Sequence, residues 1–219
     1  MSKYEQFVEL LTSYCRQKGF PIQIEKSLQD SSTDDANAVK IFTSKHRNLN
    51  SISMDSIAQN VVRRLHFVGT TKESESPASV DSFLIDSDGY WYFIEFKNQK
   101  ISASKEKCIE KSYANVYWLL KILDELKADG SFSFSSFSSS SASISSFEFI
   151  KEHCHFILVV GNGKDDVNLN RIREAKKAKM NLPDSCLFLR KLESYVFKTA
   201  NVFSAEQFDD FFVKNFRYA

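Results

Sequence analysis

From Tyr4 to Lys18 the apolar residues Phe7, Leu10, Leu11 and Tyr14 recur at helical spacing, and Gly19 with Pro21 just beyond marks a stop. Glu5 or Glu9 could reach a metal site from such a helix; a solvated face is the plainer reading of each. Residues 29–50 are polar and uneven apart from a patch at Val39 to Phe42, and read as loop with a short helix. Ser53 or Asp55 can cap a second helix running through roughly Arg64, with Ile57, Val61 and Leu65 on its inner side. Leu65 to Thr70 then reads as a first strand, and Thr71 to Ala78 as a polar loop.

The stretch that organises the chain follows, VDSFLIDSDGYWYFIEFKNQ from Val80 to Gln99. Two strand-like runs rich in Phe, Ile, Tyr and Trp flank Ser87-Asp88-Gly89, a segment suited to closing a hairpin. If these three residues form the loop, with Gly89 at the positive-φ position, Asp86 faces Tyr90 and Asp81 faces Glu95. Asp81, Glu95, Lys97 and Gln99 then share one face. A two-residue Asp88-Gly89 turn would instead set Asp81 opposite Phe96 and send the two acids to opposite faces. We expect the three-residue loop. Like charges directly across a strand pair repel by roughly 0.2–1 kcal/mol, so something positive should sit between them. A divalent cation with hard oxygen ligands suits that place. Lys97, one step along the same face, can hold a phosphate or orient an attacking water.

Beyond Gln99, Ser102 or Ser104 can cap a long helix from about Lys105 to Lys127, with Ile109, Tyr113, Val116, Leu120 and Leu123 as its apolar stripe. Lys105, Lys107 and Lys111 interleave with Glu106 and Glu110, which favours a salt-bridged surface over phosphate contact. Gly130 to Ser146 is a serine tract with scattered Phe and reads as a mobile insertion. Cys154 to Val160 (CHFILVV) is a buried-strand run, and Gly161-Asn162-Gly163-Lys164 after it reads as a plain turn, lacking a full phosphate-loop pattern. His153 and His155 share a face that Cys154 does not, so no zinc site is expected. Arg171 to Lys179 is the most basic helix candidate and fits nucleic-acid backbone contact as well as a solvated surface. Cys186 to Leu192 and Tyr195 to Asn201 read as strands. A last helix starts at Ser204, with Gln207 completing its cap, and carries Phe208, Phe211, Phe212 and Phe216 inward.

A length of 219 residues with 42% hydrophobic and 26% charged residues fits a single soluble domain interrupted by the serine-rich insertion at about 130–147. A net charge of +1 argues against coating nucleic acid by bulk electrostatics and leaves room for a local basic surface. The opening MSKYEQFVELL lacks a signal-peptide pattern, and the longest apolar run, Phe156 to Val160, is too short to span a bilayer. The four Cys are scattered without a Cys-x-x-Cys pair, which fits a reducing cytoplasm.

Asp81, thirteen intervening positions and Glu95-Phe96-Lys97, set on two strands of a hairpin followed by an amphipathic helix, resemble the PD-(D/E)XK nuclease superfamily. The resemblance covers roughly Ile52 to Asn162, with Val80 where the family name has Pro. It implies an α/β, restriction-endonuclease-like fold with a central mixed sheet flanked by helices. It further implies that Asp81 and Glu95 hold Mg²⁺ (or Mn²⁺), that Lys97 activates water or offsets charge on the phosphoryl oxygens, and that Gln99 supports them. Many members add an acid from an earlier helix; Asp55, Gln59, Asn60, Glu5 and Glu9 are the positions open for it. The function so implied is metal-dependent hydrolysis of DNA, with a catalytically silent module of the same fold, binding nucleic acid or a protein, as the alternative. Arg63, Arg64, Lys100, Arg171, Arg173, Lys176 and Lys177 are the candidate contacts for a nucleic-acid backbone. DNA is the expected partner, RNA and a second copy of the chain are alternatives, and no membrane contact is expected.

Overall fold

The computed structural model describes residues 1–34, 38–66, 76–137, 145–161, 166–178, 182–193 and 195–218. Helix α1 (Lys3–Gln17) opens on a capping box between Ser2 and Glu5 and buries Phe7, Leu11 and Tyr14. The span expected to be mostly loop is more ordered than its polarity suggests. After β1 (Glu25–Ser27) comes α2 (Leu28–Ser31), which runs into the span; the span itself also holds the small pair β2 (Thr33–Asp34) and β3 (Val39–Lys40) and the start of β4 (Asn50–Ser53). The Ser53 hydroxyl accepts from the backbone of Ser56 and caps α3 (Met54–Ile57), which continues as a π-helical turn (Ala58–Val62) into α4 (Arg63–His66).

Leu65 is therefore helical and packs on the core as the next inward position after Ile57 and Val61, not as the start of a strand. The rest of that expected strand, 67–70, lies outside the described residues, as do 71–75 of the loop after it.

Strands β5 (Ser82–Ile85) and β6 (Trp91–Lys97) form the expected hairpin. Phe83 pairs with Phe93 and Ile85 with Trp91, Gly89 takes φ 84°, and the Asp86 and Tyr90 backbones bond across the loop at 3.0 Å. The three-residue loop is the one adopted. After α5 (Ile101–Ala128), α6 (Phe134–Phe137) and α7 (Ser146–His153), β7 (Cys154–Val160) pairs parallel with β6. Helix α8 (Asp166–Lys177) and a 3₁₀ helix (Asp184–Lys191) lead to β8 (Thr199–Ser204), parallel to β7. Last come α9 (Ala205–Gln207) and a π-helical segment (Phe208–Val213). The result is an α/β architecture: a mixed six-stranded sheet in the order β1-β4-β5-β6-β7-β8, flanked by helices. Among the described residues, no helix is long and apolar enough to cross a membrane.

Several expectations need correction. Neither Ser102 nor Ser104 caps α5. Lys100 precedes its first turn without a side-chain cap, and the Ser104 hydroxyl, inside the helix, bonds back to the Lys100 carbonyl. Val116 and Leu123 are buried as expected, but Tyr113 is exposed, and the inward face includes the polar Ser112 and Asn115. Cys186 to Leu192 is not a strand, because Cys186, Leu189 and Leu192 recur every third residue and all three are buried on one side of the 3₁₀ helix. The following strand begins at Thr199, four residues later than expected. The Ser204 capping box with Gln207 forms, and Phe208 and Phe216 are buried while Phe211 points to solvent.

The serine tract does not behave as a loose insertion over its described part. Phe132, Phe134 and Phe137 are buried, with ring centroids 5.5 Å between Phe137 and Phe7 and 4.6 Å between Phe134 and Phe149. Residues 138–144, and 162–164 of the expected turn, lie outside the described residues.

Gly89 sits under this tract: an added Cβ would lie 2.5 Å from the Phe137 carbonyl oxygen, whereas at Gly19, with the same φ of 84°, it would meet nothing within 4 Å. Gly19→Ala is expected to lower stability by about 1 kcal/mol through backbone strain alone. Gly89→Ala should lower it by roughly 3 kcal/mol, because strain and clash add. Urea unfolding of the two variants measures the difference, and equal losses would contradict the packing at Gly89.

Candidate active site

One step beyond the Ser82–Ile94 pair, the hairpin register sets Asp81 across from Glu95. Asp81 lies just outside β5, and its Oδ2 accepts the Phe96 backbone N–H at 2.6 Å. The short segment leading to it is held residue by residue. Trp118 Nε1 donates to the Ala78 carbonyl at 3.2 Å. Ser79 donates its hydroxyl to Asp55 Oδ1. The Val80 N–H donates to Asn115 Oδ1 at 3.0 Å. Lys111, Asn115 and Trp118 follow one side of α5 at steps of four and three, so successive helical turns grip successive residues of the strand entry.

The positive charge expected between the two acids is supplied by the chain itself. Lys111 Nζ lies 2.9 Å and 3.1 Å from the two Glu95 oxygens and 3.3 Å from Asp81 Oδ1. Lys97 Nζ also pairs with Glu95 Oε1. Glu95 is fully buried, and a lone carboxylate there would be strongly disfavoured. Two ammonium groups against two carboxylates remove the net charge. Lys111, expected on a salt-bridged surface, is salt-bridged inward, to partners on the sheet.

Burial, then the Glu95 charge, pushes Asp81 up to about 6, with Lys111, Lys97 and the Phe96 N–H acting the other way. Burial alone would lower Lys111, yet the charges of Asp81, Glu95 and Asp55 outweigh it and hold the ammonium above the ordinary lysine range. Asp55 is raised by burial and by the Asp81 charge. Of the five positions open for a further acid, Asp55 is thus the one that feels the site. Asn60 turns back on the Ser56 carbonyl, Glu5 closes the α1 cap, Gln59 is half-buried on the π-helical turn and Glu9 is exposed on α1.

A cleft of about 180 Å³ opens beside the acids, lined by Asp81, Lys97, Gln99, Asn98, Phe96 and the Ser32–Asp34 segment. It shares Ile41 and Asn98 with a larger cleft of about 610 Å³ that also meets Lys40 and Lys45. Gln99 is exposed at this mouth. Among the described residues, no three His, Cys, Asp or Glu side chains come close enough to hold a metal ion by themselves. The donor chemistry nonetheless fits a hard divalent cation, which takes one or two carboxylates and keeps waters or substrate oxygens for the rest. Glu95 Oε1 is buried and has no well-angled hydrogen bond, although both ammonium groups are near it.

The basic candidates are scattered, and several already have partners. Arg63 is buried and Arg64 stacks over Phe20. Arg173 pairs with Glu206 and Lys177 with Glu174, and Lys176 lies over Phe203. Lys100 and Arg171 are exposed. The four cysteines are buried and in no disulfide, and His155 bonds Thr199 through Nδ1. No family model, no curated protein and no solved structure matches the chain.

Asp81, at about 6 against an ordinary 3.8, keeps in the fold a proton that the unfolded chain has lost. Its contribution to stability is complete below about pH 4 and disappears as pH rises through about 6, a change of at most roughly 3 kcal/mol. Urea unfolding from about pH 4 to about pH 7 should show wild type losing stability relative to Asp81→Asn. Parallel profiles would mean that Asp81 titrates as an ordinary aspartate.

Proposed function

We propose that this chain is a metal-dependent nuclease of the PD-(D/E)XK type, with a restriction-endonuclease-like fold, that hydrolyses DNA phosphodiester bonds. The observation that supports it most is the facing of Asp81 and Glu95 across the hairpin, with Lys97 farther along the same strand face at the mouth of a cleft. Asp81 and Glu95 would hold Mg²⁺ or Mn²⁺. Such an ion, when bound, polarises the phosphoryl oxygen and lowers the pKa of water.

The chain's own residues supply the rest. Lys97 places an ammonium group where negative charge grows on the phosphoryl oxygens as the P–O bond breaks. Gln99, at the cleft mouth, offers an amide to the attacking water or to a phosphate oxygen. Asn115, Trp118 and Asp55 are positioning residues: they fix Val80, Ala78 and Ser79, and hence the Asp81 backbone. Asp55 adds negative charge behind Asp81, which favours retention of a cation. Lys100 and Arg171, both exposed, are the contacts we assign to the nucleic-acid backbone.

The silent-module alternative draws on one observation. Two lysines already offset two acids, so the cluster can be stable as an ion-pair network without turnover.

Purified protein with Mg²⁺ or Mn²⁺ should nick or degrade plasmid DNA. Asp81→Ala, Glu95→Ala and Lys97→Ala should each reduce the rate at least about a hundredfold. Full activity in Glu95→Ala would sink the assignment. Binding of DNA with no cleavage in either metal would favour the silent module.

A further inference from the structure

A carboxylate pair that faces across a hairpin needs a cation, and the cation in place is the Lys111 ammonium, 2.9 Å from Glu95 Oε1 and 3.3 Å from Asp81 Oδ1. A Mg²⁺ ion taken up by the same carboxylates would stand about 2.0–2.1 Å from its ligand oxygens. The two positive groups would then compete for one volume and for the same lone pairs. We propose that Lys111 is a built-in placeholder for the metal: its ammonium bridges Asp81 and Glu95 in the metal-free protein, offsetting their charge together with Lys97, and must withdraw before a divalent cation can bind them. The inference rests on the metal-dependent reading above and concerns how that site is loaded.

The surroundings of Lys111 suit such an exchange. Its side chain remains 23% exposed, while Glu95 behind it is sealed. Lys111 is half-buried and not sealed, so its four-carbon stem has a path outward. The helix need not move, because Asn115 and Trp118, one and two turns farther along, hold α5 to Val80 and Ala78 independently of the lysine. Lys97 differs. It contacts Glu95 Oε1 from the same strand and lines the cleft, so it stays beside the acids whether or not Lys111 leaves.

Occupancy by Lys111 also sets a threshold. A metal must displace an ion pair, not merely enter an empty carboxylate site, so apparent affinity is reduced by the fraction of time the ammonium is in place. Removing the ammonium removes that competition.

Mn²⁺ binding, followed by loss of the free-ion electron paramagnetic resonance signal, tests this without reference to activity. Lys111→Met keeps an apolar stem and should bind Mn²⁺ at least about tenfold more tightly than wild type; Glu95→Gln identifies the site by abolishing that binding. In wild type, acetylation of Lys111 by a soluble active ester, read by mass spectrometry, should be slow without metal and rise at least about tenfold at saturating Mn²⁺. This second measurement needs no variant and holds if Lys111→Met does not fold. Wild-type Mn²⁺ binding that is unchanged or weakened in a folded Lys111→Met protein would overturn the placeholder and leave the metal-dependent reading standing. So would a Lys111 that stays unreactive while Mn²⁺ is bound. Failure of both proteins to bind Mn²⁺ would overturn both.

Discussion

Two like charges held opposite one another, one of them sealed from water, form the constraint around which this chain is arranged. A carboxylate placed at zero exposure, as Glu95 is, needs cations beside it. They come from two directions, Lys97 along the same strand and Lys111 from the helix that follows. The helix must therefore lie at a fixed height over the hairpin. Asn115 and Trp118 set that height by bonding to the backbone of the strand entry. The buried Asn115 interrupts the apolar stripe of α5 for this reason, whereas the buried Ser112 hydroxyl donates back to the Ile109 carbonyl of its own helix.

One face of β6 changes character along its length. Near the turn, Trp91 packs on Phe7 and Phe149, and Phe93 packs on Phe83 and Phe197. Two residues on, the same face carries Glu95, then Lys97. The opposite face stays apolar to the end, with Phe96 against Phe42 and Phe208. The acids thus stand at the border of an aromatic core, and burial of that core shifts Asp81 upward. Packing and acid strength are here one property.

Much of this was legible in the sequence where a single periodicity governs. Alternation in 80–99 and the glycine at 89 favoured the register that forms; the CHFILVV run pointed to β7; Ser204 and Gln207 pointed to the last cap. Lys111 was not legible as a site residue. Its neighbours Glu106, Glu110 and Lys107 satisfy the rules of a surface helix, whereas its partners lie 16 and 30 residues away in sequence. Averaged composition hid the phenylalanines of the serine tract, since three buried rings among many serines still read as polar. The run from Cys186 to Leu192 was too short to separate a strand from a one-sided 3₁₀ turn, and tertiary packing decided it. Asp55 was one of five open positions until the fold brought its charge to bear on Asp81 and Lys111.

The parallel pairing of β6 with β7 has a consequence for how the protein assembles. Asp81, Glu95, Lys97 and Lys111 lie within a hairpin and the helix beside it, so their contacts close short loops and can form early. The strand that covers Glu95 on its other edge, where it pairs with Leu158, arrives only after the long α5 crossover. Chain order thus allows the four charges to meet while still hydrated, with water excluded once β7 docks. Ion pairs formed in that order precede the desolvation that would make an unpaired Glu95 intolerable, and spare the chain a buried, uncompensated charge.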